Sequence, residues 1–558
     1  MRRKVKQIDR ALAQRFGKKE NVILWHISNE FGGNFKDSTC HCEKCQKKFR
    51  EWLKNKYGTL DKLNASWWTG FWSHKYTDWD QIHSPSPQGE CLTTALTLDW
   101  KRFSSEQITD FCKMEADALR EFSDLPTTTN MMGFFKGVDY NTLKNAVDII
   151  SWDNYPFWHE RKDEVPEAVY TSAGNALMRS LKREPFLLME STPSSVSWRS
   201  HNPLKRPGMH MLSSMQAVAH GADSVQYFQW RKSRGGYEKF HGAVVDHKNG
   251  SDTRTFREVT EVGKRLEHLS GGIKTFLNRA KAAIVFDWEN WWALEDIQGP
   301  RRDMAYLDTV LAHFRPFWEM GIDVDFVDED SDLSGYRLVT APLNYLYKKG
   351  YAAKVKAYVE AGGCYVSTYF SGVVDETDLC ILDRHPLEEV LGICTEEMDA
   401  ANEYHPNSIY FGGKSYQTGC LREVSHVVPG SGTEVLASYE ADYYAGLPAL
   451  TCKRYGNGKA YYLACETEAD FLRAFYAQLA GENNVDGAFT GKLPYGVTAS
   501  RREGERNLWF LQNFNASEAE AELPDTYTRV ADGARVEGKV VLKPYECLIL
   551  AEKQADGL

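Results

Sequence analysis

The feature that most constrains this chain is the rhythm of its first 275 residues, where short apolar runs alternate with longer segments at helical spacing. NVILWHIS (21–28), PTTTNMM (126–132), VDIISWDNYP (147–156), PFLLMES (185–191) and DSVQYFQWR (223–231) read as buried strands. Between and after them, residues 44–58, 98–123, 172–183, 211–222 and 257–270 read as helices, the first closed by Gly58 as a C-cap. Such alternation implies a parallel α/β fold, with functional loops after the strand C-terminal ends.

The alternation resumes at 281–295 and runs to about 466 with Gly-rich turns, which implies a smaller open-sheet α/β domain. From about 486, short strands follow one another with turn residues at roughly 8–12-residue spacing, the pattern of a small β-sandwich. We therefore expect three units: 1–275, 276–485 and 486–558.

Charge and composition narrow the function. Sixty-seven basic residues against 77 acidic ones leave a net charge of −10, which argues against nucleic-acid or anionic-membrane partners. No apolar run approaches the roughly 18–20 residues of a membrane span. The opening segment is basic without an apolar core, so no secretory signal is expected. Twelve cysteines without a dense framework suit reduced thiols in a cytoplasm. The 13% of aromatic residues fits either a flat, neutral ligand such as a sugar or a large buried core.

Two acids stand at strand ends: Glu30, in the pair Asn29-Glu30, and Glu190, closing PFLLME. In an α/β barrel both would face the mouth, and a carboxylate pair there is what glycoside hydrolysis needs. A single glutamate after a strand is otherwise a solvated or capping residue. Trp152, Tyr155, Gln229 and Trp230, at other strand ends, are open between lining a sugar subsite and packing the barrel.

Several blocks in order carry a resemblance: WHISNEFGGNF, REWLKNKYGTLDKLN, FWSHKYTDWDQIHSPSP (71–87), SWDNYP (151–156), LLMESTPSSVSW (187–198), QYFQWRKSRGGYEKFHGAVVDH (226–247), VFDWENWWALE (285–295) and TYFSGVVDETDLC (368–380). Together they resemble the glycoside hydrolase family 42 β-galactosidases of the Asn-Glu barrel clan, over essentially the whole chain. The resemblance implies a (β/α)8 barrel, a trimerisation domain of flavodoxin or glutamine-amidotransferase type, and a C-terminal β domain. It implies Glu30 as acid/base, Glu190 as nucleophile, and Asn29, Trp198, Glu238 and His241 as galactose-binding residues. It further implies retention of configuration, a homotrimer with VFDWENWWALE near the subunit contact, and no organic cofactor; the Trp-rich character of 286–292 suits an interface core, but a buried strand end would look the same.

Cys40, Cys42 and Cys45 have the spacing of three tetrahedral zinc ligands, although three unrelated loop thiols would look the same. The resemblance implies a structural zinc whose fourth ligand is a cysteine upstream of Asn29. No cysteine precedes Cys40, and His41 lies between two ligands.

A complete barrel takes about 250 residues, roughly 30 per βα unit. Five strands are legible, and in this clan the Asn-Glu acid follows the fourth strand and the nucleophile the seventh. The expectation is therefore an incomplete barrel holding strands 4–8. Two functions remain on the sequence alone: a retaining β-galactosidase, or a non-catalytic carbohydrate-binding or scaffold remnant of that family.

Overall fold

The computed structural model describes residues 1–33, 39–85, 92–270, 275–277, 279–504 and 506–552; the end of the 71–87 block lies outside them. The first unit runs α1 (Arg2–Phe16), β1 (Trp25–His26), α2 (Glu43–Tyr57), α3 (Leu60–Ser66), α4 (Thr94–Arg120), β2 (Thr127–Thr128), β3 (Asn130–Met131), α5 (Tyr140–Leu143), β4 (Ser151–Asp153), α6 (Val165–Lys182), β5 (Phe186–Glu190), α7 (Met209–Ala219), β6 (Ala222–Val225) and α8 (Arg254–Ser270).

All the strand pairings here are parallel and follow chain order: β1 on β2, β3 on β4, β4 on β5, and β5 on β6. β2 and β3 belong to one path interrupted at Thr129, so the described residues supply five barrel strands in an arc. Among the described residues β1 and β6 do not pair with each other and form the two edges.

Each expected strand exists, but shorter than its apolar run. In NVILWHIS only two residues join the ladder and Ile23 is 75% exposed, so this run is not the buried strand its composition implies. An edge strand has a neighbour on one side only, and its apolar residues are free to face outward. The α1 helix, which the sequence reading left unassigned, lies along α4, where Arg2 pairs with Asp110 and Arg10 hydrogen-bonds Glu121. Gly58 closes α2 with φ +75°, as its C-cap position requires.

Trp152 resolves to packing. It is 4% exposed, and a Cβ on Gly133 or Gly174 would meet its ring at 2.9 and 2.8 Å. The two glycines open the slot that this indole fills.

The second unit is a seven-stranded sheet in the order 434–438, 448–455, 458–463, 364–368, 338–341, 282–285, 324–327. Its last five strands are parallel and its first two antiparallel. Helices Tyr306–Glu319, Tyr351–Glu360 and Ala469–Glu482 accompany it. The C-terminal unit corrects the sandwich expectation. Its strands hydrogen-bond as one six-stranded antiparallel sheet, whose edge strand is Thr275–Leu277. One set of its apolar residues, Leu508, Phe510, Ile549 and Ala551, packs on Met215 and Val218 of α7 and Val262 of α8. Short strands with frequent turns fit a single curled sheet as well as two facing ones.

The tryptophans of VFDWENWWALE are buried within the chain itself. Helix α9 (Trp288–Asp296) is N-capped by Asp287, and Trp288, Trp291 and Trp292 are 0–3% exposed within the single chain. Trp288 donates its indole N–H to the Phe135 carbonyl at 2.9 Å, and Trp292 donates to that of Lys136 at 2.7 Å. Lys136 pairs with Glu295, and Arg102 of α4 holds Glu289. The tryptophans thus join the second unit to the loop after β3, because an indole buries large apolar area while its N–H still needs an acceptor.

Candidate active site

The arc gathers its polar strand ends on one side. After β1 the chain turns through Ser28 and Glu30, both at positive φ (49° and 41°). Ser28 donates its hydroxyl to the buried Glu115 carboxyl of α4 at 3.0 Å, and burial pushes Glu115 up to about 7. The Glu30 N–H donates to Oδ1 of Asn130, at the start of β3, at 2.9 Å. These two bonds hold a turn whose backbone is unfavourable for side chains of this kind.

Asn130 is the hub of the site. Its amide nitrogen donates to Asn29 Oδ1 at 3.0 Å and Asp153 Oδ2 at 2.6 Å, and lies 3.5 Å from Glu190 Oε1. Glu190 accepts the Tyr155 hydroxyl on Oε2 at 2.6 Å, while its backbone carbonyl takes the N–H of Asn154 at 2.9 Å. The Asp153 carboxyl is hydrogen-bonded to that of Glu30.

Aromatic rings form one wall. Trp198 stacks on His241 with centroids 5.0 Å apart, and Tyr155 meets Trp198 edge-on at 4.9 Å. His241 is fully buried; its Nε2 hydrogen-bonds the Phe228 carbonyl at 3.0 Å, and its Nδ1 is buried without a protein partner. Trp198 is 53% exposed, presenting a face to solvent.

The electrostatics are those of crowded acids. Burial raises the Glu30 pKa, and the charges of Glu190 and Glu238 add to it, against the hydrogen bond from Asp153. Burial also raises Glu190, while the Tyr155 hydroxyl pulls it down. Asp153 is pushed up to about 9, by burial first and then by the charges of Glu190 and Glu30. A phenolic donor favours the ionised form of Glu190, and a neighbouring anion favours the protonated form of Glu30.

The structure therefore brings Asn29, Glu30, Glu190, Trp198 and His241 together. Glu238 is exposed, at the rim, within electrostatic reach of both glutamates. Tyr155, left open by the sequence, belongs to this cluster. Trp230 is 64% exposed and touches Phe256, and Gln229 accepts a hydrogen bond from Ser233. Asn130 and Asp153 were missed. Their signal was a polar residue inside an otherwise apolar strand pattern, in PTTTNMM and VDIISWDNYP.

Cys40, Cys42 and Cys45 have their sulfurs within 4.8 Å of one another. His41 does not join them. Its Nδ1 pairs with the Ser84 hydroxyl at 2.9 Å, its Nε2 with that of Thr39 at 3.1 Å, and its ring stacks on Trp100. No helix among the described residues is long and apolar enough to cross a membrane.

Comparison with known proteins agrees with this geometry. Residues 1–269 match the family model described as beta-galactosidase, 280–486 the beta-galactosidase trimerisation domain, and 496–552 the beta-galactosidase C-terminal domain. A β-galactosidase of Alicyclobacillus acidocaldarius is 48% identical over 100% of this chain and 81% of its own length. One from Clostridium perfringens is 42% identical over 99% and 81%. The crystal structure of the β-galactosidase from Rahnella sp. R3 superposes with a TM-score of 0.94 at 47% identity, covering 99% of this chain and 81% of that one. The chain belongs to the glycoside hydrolase family 42 β-galactosidases.

Proposed function

We propose that this chain hydrolyses terminal non-reducing β-D-galactose from small galactosides and galacto-oligosaccharides with retention of configuration. The observation that carries this reading is the convergence of Glu30 and Glu190 on one amide, that of Asn130, beside the Trp198–His241 wall. Glu30 donates a proton to the glycosidic oxygen while the Glu190 carboxylate attacks the anomeric carbon, giving a galactosyl–enzyme. Glu30, now a carboxylate, takes a proton from water as that water displaces Glu190. Asn29, Glu238 and the free Nδ1 of His241 are the groups that hold the sugar hydroxyls, and Trp198 packs against the ring. Two barrel strands, the β2–β3 path and β4, lie between those that carry the two acids, which supports reading β1 to β6 as barrel strands 4–8.

A fluorinated galactosyl inactivator tests the assignment: it should label Glu190, and the first product anomer seen by NMR should be β. Sugar binding without labelling would instead support a non-catalytic carbohydrate-binding protein.

The three cysteine sulfurs fit three positions of a tetrahedral thiolate site. We assign them to a structural zinc that ties the loop after Glu30 to the start of α2. For the homotrimer, the exposed Trp68 and Phe71 border a cleft of about 410 Å3 with Leu379 and Leu382, which lie in the stretch matching the trimerisation domain, and the exposed Trp72 stacks on Phe71 beside it. We assign that surface to the subunit contact.

A further inference from the structure

Asp153 is a buried acid that the reaction just described does not use. It ends β4 in register with Glu190 of β5 and is 7% exposed. Its Oδ2 accepts the Asn130 amide at 2.6 Å, whereas Oδ1 is buried and receives no donor. The same carboxyl is in contact with that of Glu30. Among the described residues no lysine or arginine pairs with Asp153, Glu30 or Glu190. The titratable groups facing it are Glu30 after β1, Glu190 on β5, Tyr140 on α5 and Tyr155 on its own loop, with Glu238 acting on the two glutamates from the rim.

Two carboxyls in contact in a half-dry site do not both ionise, so the pair keeps a proton. Glu30 is half-buried; Asp153 is buried, with one oxygen anchored and the other bare. We propose that Asp153 is the positioning residue of the acid/base, a neutral carboxylic acid that donates its O–H to Glu30 throughout the reaction. Burial and the neighbouring anions push Asp153 up to about 9, which keeps it protonated at neutral pH. The proton on Asp153 is never transferred. Glu30 gives its own proton to the leaving oxygen and regains one from water, and Asp153 stabilises the carboxylate that exists between those steps. The inference rests on Glu30 being the acid/base.

Asp153→Asn keeps a donor toward Glu30 and an acceptor for Asn130, and Asp153→Ala keeps neither. On an aryl galactoside near pH 7 the Asn variant should stay within about threefold of wild type in kcat/KM. The Ala variant should lose roughly 10–100-fold, the usual worth of a hydrogen bond to a charged group. The Ala loss should grow as the leaving group worsens. Its alkaline limb should move to higher pH, because the Glu30 carboxylate has lost a donor. An Asn variant as damaged as Ala, an alkaline limb moving to lower pH, or an undamaged Ala variant would each overturn the proposal. The infrared difference between wild type and Asp153→Asn at neutral pH should show one protonated carboxyl, and its absence also overturns it. That spectrum needs no turnover, so a wild type that hydrolyses no galactoside refutes the proposed function while the infrared result still decides the protonation of Asp153.

Discussion

The Tyr155 hydroxyl donates to Glu190 Oε2 at 2.6 Å, joining the ends of β4 and β5 and biasing Glu190 toward its carboxylate. Tyr155→Phe removes that donor, so the Glu190 pKa rises further above the ordinary carboxylate range. The acidic limb of kcat/KM should shift upward by about one unit, the order of one hydrogen bond to a charged group. A pH–rate profile of the variant reads this directly, and an unmoved limb would separate the tyrosine from Glu190 function.

Trp288→Ala should uncouple the first and second units. The indole is fully buried and its N–H is satisfied by the Phe135 carbonyl. Removing it leaves a cavity and an orphaned acceptor, at a cost of about 3–5 kcal/mol. Urea unfolding followed by tryptophan fluorescence should show the lower midpoint; a loss near zero would mean the contact is dispensable.

Trp72→Asp addresses assembly. Trp72 is 67% exposed and stacked on Phe71 at 4.7 Å, a surface that gains by being covered. Sedimentation should show the proposed trimer shifted toward monomer, whereas an unchanged distribution would place the contact elsewhere.

Glu423 sets a pH dependence of stability in the second unit. It is fully buried and pushed up to about 7 by burial, against the hydrogen bonds from Tyr462, the Phe370 N–H and Thr395. The folded state therefore holds the proton more tightly than the unfolded chain. Its contribution is present below the ordinary glutamate pKa and is lost as pH rises toward 7, roughly 3 kcal/mol across that interval. Glu423→Gln should flatten the fall in unfolding free energy between about pH 4.5 and 7. A slope equal to wild type would show that Glu423 titrates normally.

The cysteine cluster should take a soft divalent ion. Cadmium added to the reduced protein should produce thiolate charge-transfer absorption that saturates at one equivalent, as expected for a single thiolate site. Cys45→Ala should weaken it strongly, and an unchanged titration would assign the signal to other thiols.

The two candidate acids were legible because strand-end position can be read locally: Glu30 and Glu190 each follow an apolar run. Asn130 and Asp153 were not. Each sits inside a strand pattern where a lone polar residue has many explanations, and its meaning depends on the strand beside it. The register of β4 on β5 sets Asp153 opposite Glu190, and no spacing within either segment encodes that register. VFDWENWWALE stayed open for a related reason. A Trp-rich stretch signals a large buried contact without saying whether the covering surface belongs to the same chain.

The sequence by itself determined the parallel α/β order, the positions of the two acids, the cysteine cluster and the family, because these are carried by local periodicity and ordered motifs. Only the tertiary structure decided which groups share protons. The contact between Asp153 and Glu30, the amide of Asn130 among four neighbours and the stacking of Trp198 on His241 join residues 23 to 123 positions apart. Such pairs are brought together by strand order and burial, and burial is also what makes their charges matter.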